Sequence, residues 1–98
     1  MLSDLEQRIE SERKEVTSLD AELNRERTPF LKNQLRRAIN MLDDSEMALQ
    51  LSTRAGDKYE GLWMALAETN LEAASQIRKQ VQETVYNFGG PDEVTESE

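Results

Sequence analysis

The apolar residues Leu2, Leu5, Ile9, Val16, Leu19 and Leu23 follow one another at spacings of three and four, or their sum. That alternation is the a/d pattern of a heptad repeat, and it suits an amphipathic helix better than any strand. Leu2, Ile9, Val16 and Leu23 take the a positions. Leu5, Glu12, Leu19 and Glu26 take the d positions. Residues outside the seam are nearly all polar, so the stripe is narrow. A narrow stripe is the mark of a coiled-coil contact rather than of a broad core-facing helix. Two glutamates on the seam must reach solvent or meet a basic group. The expected helix covers residues 2–26, with Ser3 or Asp4 as its N-cap.

Thr28-Pro29 then punctuates the chain. Threonine caps a helix start well, and proline suits the first helical position, where its missing N–H costs nothing. A second helix is expected over 29–54, with Leu31, Leu35, Ala38, Leu42, Ser45 and Leu49 on one stripe. Phe30, Ile39, Met41, Met47 and Leu51 widen its apolar surface. Gly56 reads as a left-handed helix terminator and Asp57 as the next N-cap. One helix running on through 56–61 is the competing reading, and Gly61 weighs against it. The third helix is expected over 58–87. It carries Trp63, Ala67, Ala74, Ile77, Val81 and Phe88 on one stripe, flanked by Tyr59, Leu62, Leu66, Ala73 and Val85. Trp63 and the methionines Met41, Met47 and Met64 read as core.

Gly89-Gly90-Pro91 stops the third helix. The remainder is acidic, with Val94 its only apolar residue, and is expected to be disordered and outside the fold. Strand alternation and hairpin signals are lacking. The expected fold class is therefore all-α. It is one domain, residues 1–88, of three long helices in an up-down-up bundle or coiled-coil hairpin, followed by a disordered acidic tail over 89–98. No apolar run approaches the roughly 20 residues of a membrane span, and no signal-peptide core is visible. A non-membrane, cytoplasmic protein is expected.

Composition narrows the chemistry. The 98 residues include no Cys and no His, which removes disulfides, thiol catalysis, Cys/His zinc sites and imidazole-based triads. No glycine-rich phosphate loop is present. Acid–base chemistry would fall to carboxylates such as Asp43, Asp44 and Glu46, or Glu68 and Glu72, and a magnesium-dependent all-α hydrolase is the reading they support. A solvated helix face accounts for the same residues more simply. No catalytic residue, metal ligand or cofactor is assigned.

The net charge is −8, yet residues 25–37 hold Arg25, Arg27, Lys32, Arg36 and Arg37 against Glu26 alone. This basic island lies at a helix junction. It can receive phosphate or an acidic surface, or it can pair with acidic groups of its own chain. A nucleic-acid-related regulator is the functional form of the first option. Five charges on so acidic a chain give little counterion release, which disfavours duplex binding.

Thin helices enclose little interior, and small domains bury a small share of their surface. The expectation is therefore a non-enzymatic helical interaction protein: an adaptor, scaffold, assembly factor or inhibitor. It would act through coiled-coil contacts with a protein partner and self-associate, most simply as a dimer. The proposed interface is Leu5, Ile9, Val16, Leu19 and Leu23.

Overall fold

The computed structural model describes residues 2–54 and 56–96, with the side chains of Leu2, Ser3 and Asp57 excepted. Three helices account for most of them: α1 (Leu2–Glu22), α2 (Pro29–Arg54) and α3 (Asp57–Asn87). They run up, down and up in an elongated body of 51 × 22 × 17 Å. The all-α expectation holds.

The heptad reasoning extends to all three helices. Leu31, Leu35, Ala38, Leu42, Ser45, Leu49 and Ser52 are buried along α2 in unbroken alternation of four and three. On α3 the buried positions Ala67, Leu71, Ala74, Val81 and Val85 follow the same beat, with Arg78 in the gap. On α1 and just past its end, Leu5, Ile9, Glu12, Val16, Leu19 and Leu23 complete the set. Three seams thus close on one another as an antiparallel coiled coil within one chain. Small residues bring α2 and α3 closest: Ala38, Ala48, Ala67 and Ala74 are all buried. The Ser45 hydroxyl donates to the Ala67 carbonyl across this contact at 2.6 Å. Buried hydroxyls keep a partner at modest cost, so serine serves here as a small seam residue.

The first helix stops at Glu22, short of the expected residue 26. Asn24 is the cause. Its side-chain oxygen accepts from the backbone N–H groups of Glu26 and Arg27 at 2.8 and 3.1 Å, an Asx turn that competes with the helix. The Lys32 ammonium then donates to the carbonyls of Asp20 and Leu23, groups that a helix end leaves without partners. At the other end α1 begins by Leu2, so Ser3 and Asp4 lie within its first turn rather than before it.

The chain does break between α2 and α3, but not by a left-handed Gly56. That residue is extended (φ −68°, ψ 170°) and precedes α3, so it holds the N-cap position expected of Asp57. Gly89 and Gly90 are the glycines with positive φ, at 95° and 104°. Gly90 N–H donates to the Val85 carbonyl and Gly89 N–H to that of Tyr86, the double closure of a Schellman ending.

The acidic tail departs furthest from expectation. Residues 89–96 fold back over the α1–α2 junction, and Val94 is buried in the core. The disorder expected of 89–98 fails for the described part, while residues 97 and 98 lie outside it. What ordered the segment was an attachment point: Glu96 N–H donates to the Arg27 carbonyl at 2.8 Å. Met47 is exposed rather than core, as are Phe30 and Phe88, whereas Trp63, Met41 and Met64 pack partly against the core.

Candidate functional site

Each expected interface residue lies inside its own molecule. Leu5, Ile9, Val16, Leu19 and Leu23 are buried against α2 and α3, with Val16 completely enclosed. In this fold they are core, and among the described side chains of α1 none of these seam positions is left open to grip another chain. The position of Leu2 at the head of that seam lies outside the described side chains. The glutamate left over on the seam does find a cation. Arg78 Nε donates to one carboxylate oxygen of Glu12 at 2.6 Å and Nη2 to the other at 3.2 Å. Nη1 reaches Gln82 at 2.8 Å, and Glu15 lies 3.1 Å from Nη2.

Only 9% of the Glu12 side chain and 13% of Arg78 is exposed. The bond to Glu12 chiefly raises the Arg78 pKa above its ordinary value, against the opposing effect of burial, and the charges of Glu12 and Glu15 add to the rise. The pair occupies seam positions on α1 and α3. A forked ion pair accepts little lateral displacement, so it fixes the register of one helix against the other.

The basic island divides. Lys32 caps α1 and lies 3.5 Å from the Asp20 carboxylate. Arg27 donates to the Asp92 carbonyl of the tail at 3.0 Å. Arg37 donates to Gln34 on its own helix. Arg25 and Arg36 border a shallow groove with Asp20 and Ile39. The structure therefore brings Arg27 and Lys32 into service within the chain, and it gathers the five less tightly than their sequence proximity suggests.

Sequence reasoning missed the group that serves this junction best. Thr28 stands in the N-cap position of α2 but turns its hydroxyl back, donating to the Asn24 carbonyl at 2.7 Å. The Glu96 carboxylate takes its place. It accepts from the N–H groups of Phe30 and Leu31 at 2.8 and 2.7 Å, where a capping side chain normally bonds. A carboxylate there also meets the positive end of the helix dipole. A lone Glu in an acidic tail carries no local sign of such a role.

Of the carboxylates considered for metal chemistry, Asp43 and Glu46 are engaged by a cation. Arg13 donates to Asp43 at 2.9 Å and to Glu46 at 2.7 Å, binding α1 to α2. Among the described residues no three acidic groups converge as a metal site would require. No helix is long and apolar enough to cross a membrane.

A different surface stands out. Tyr59, Leu62 and Leu66 of α3 are 50%, 55% and 40% exposed. Their spacings of three and four place them on one face with half-buried Ala73. The face lies apart from the buried seam that begins at Ala67. Towards α1 it borders a groove that Glu72, Ser75, Gln76 and Lys79 line with Arg8 and Ser11. It is a second heptad stripe on α3, left open. The residues were visible in the sequence as flanks of the third helix. Their exposure was not, because only the packed bundle shows which stripe is used.

Comparison with protein-family models, with curated proteins and with solved structures finds no match for this chain.

Proposed function

We propose that this protein is a non-enzymatic helical interaction protein, an adaptor, scaffold or assembly factor, working through helix–helix contact on the outer face of α3. One observation carries the reading: three large apolar side chains, Tyr59, Leu62 and Leu66, stand about half exposed in a row with coiled-coil spacing. Isolated exposed leucines need no explanation, whereas an ordered row of them on a helix marks a contact surface. The working surface thereby moves from α1, where the sequence suggested it, to α3.

The phosphate-docking alternative loses ground, because Arg27 and Lys32 are bonded within the chain. The magnesium-dependent alternative loses ground likewise, because Arg13 takes up Asp43 and Glu46.

The test places a photo-cross-linking amino acid at position 62, and in a control at position 10 on the exposed face of α1. Irradiation in cells should yield a protein adduct of defined mass from position 62 and none from position 10. No adduct from position 62, or the same adducts from both, would contradict the reading.

A further inference from the structure

We infer that the occupant of the α3 outer stripe is a second copy of this chain, docked antiparallel about a two-fold axis near Ala65. The inference rests on the reading of that stripe as a helix-docking surface and names its partner.

The stripe is self-complementary. With two α3 helices antiparallel and Leu62 opposite Leu66 of the second copy, the same register sets Tyr59 opposite Thr69. The relation is reciprocal, as a two-fold interface requires. Ala65 meets its own equivalent near the axis, where a small side chain lets the helices approach. Between Gly61 and Ala67 the chain has no charged residue, although the whole molecule carries −8. Two such acidic molecules repel one another except where their surfaces are neutral, and this is a neutral stretch.

Two polar side chains beside the stripe already donate within their own helix. The Thr69 hydroxyl donates to the Ala65 carbonyl at 2.9 Å, and the Asn70 amide donates to the Leu66 carbonyl at 3.0 Å. Covering them does not strand those donors.

Charge at the edges agrees with the register. Lys58 of one copy falls beside Glu72 of the other, once on each side of the axis. Both are exposed and neither joins an ion pair among the described residues, although the Lys58 ammonium lies over the Tyr59 ring of its own chain, 5.4 Å from the centroid. Glu72 stands at the edge of α3 towards α1.

The area sets the strength. From Lys58 to Glu72 the stripe is about 21 Å long. Three partly exposed side chains over that length offer well below the roughly 800 Å² per partner of a standard interface. The association is accordingly a weak one, in the micromolar range. High salt, which screens the net charge, should tighten it.

Sedimentation equilibrium of the purified full chain tests this, with the emission of Trp63 as a second readout. Trp63 is the single tryptophan, half-buried next to Leu62. The expected result is a reversible dimer and a Trp63 spectrum that shifts with protein concentration. Leu62→Glu should abolish both while leaving the circular dichroism of the monomer unchanged, since the side chain is exposed. Lys58→Glu should weaken the dimer by about three- to tenfold, and adding Glu72→Lys should restore it. A monomer at all concentrations into the hundreds of micromolar would overturn the second copy as occupant; a foreign adduct from position 62 would then leave the docking surface standing. A dimer indifferent to Leu62→Glu would overturn the face. A dimer sensitive to Leu62→Glu but not rescued by the double charge exchange would overturn the antiparallel register.

Discussion

The seam of α1 and the outer stripe of α3 have the same heptad spacing and opposite fates. Leu5, Ile9, Val16, Leu19 and Leu23 are enclosed by their own chain, whereas Tyr59, Leu62 and Leu66 stand in water. Spacing therefore identifies a surface that wants a helix, but it does not say which helix answers. In α1 and α2 the described heptad seam positions are buried in the bundle. Helix α3 has two seams, one inward through Ala67 and Leu71 and one outward through Leu62 and Leu66. The helix with a stripe to spare is the one left open.

Mutations can break this contrast, and the largest effect belongs to α1. Val16→Asp places a charge in a fully enclosed site, where an ionised carboxylate without a partner is very costly. The expected outcome is loss of the cooperative unfolding transition, a destabilisation of about 4 kcal/mol or more, followed by circular dichroism. A folded Val16→Asp monomer with its melting point unchanged would mean that the seam is not core.

Next comes the ion pair that registers α1 on α3. Arg78→Met leaves Glu12 buried without its partner and should cost about 3–5 kcal/mol in denaturant unfolding. Glu12→Leu combined with Arg78→Met should recover most of that loss, because two well-packed apolar groups replace the pair. Raised above its ordinary value by charged carboxylate partners, the Arg78 group contributes stability from neutral pH up to the usual arginine range, and loses it as pH rises through its own value. The cost of Arg78→Met should accordingly be the same at neutral pH and in mild alkali.

The tail gives a smaller effect. Glu96→Ala removes the cap on α2 and should cost about 0.5–2 kcal/mol, with faster hydrogen exchange at the amides of Phe30 and Leu31. Exchange at those two amides unchanged by the substitution would remove Glu96 from the junction.

Smallest of all is Leu62→Asp. On the open stripe of a monomer it should change stability by no more than about 0.5 kcal/mol at dilute concentration. The gap between it and Val16→Asp measures the difference between the two stripes.

How much of this was legible beforehand follows from the range of each interaction. The helices were readable because Thr28-Pro29, Gly89-Gly90 and the apolar spacing act locally. Glu12 on the seam announced its need for a cation, yet Arg78 lies 66 residues away and looks like any surface arginine in the sequence. The fold of the tail was hidden for the same reason. Its order depends on Val94 finding the core and on Glu96 finding two free amides created by the backward turn of Thr28. Neither condition exists until α1 and α2 have packed. The basic island misled because sequence proximity gathered five cations that the fold sends to different tasks, Lys32 to the end of α1 and Arg27 to the tail.

Native-state hydrogen exchange at the amides around Val16, followed across protein concentration, tests most directly whether α1 is closed by its own chain. Protection there should match that of the core of α2 and α3 and stay the same down to concentrations at which the protein is wholly monomeric. If those amides lose protection on dilution while α2 and α3 keep theirs, α1 is held by another molecule, and the division between its closed seam and the open stripe of α3 is wrong.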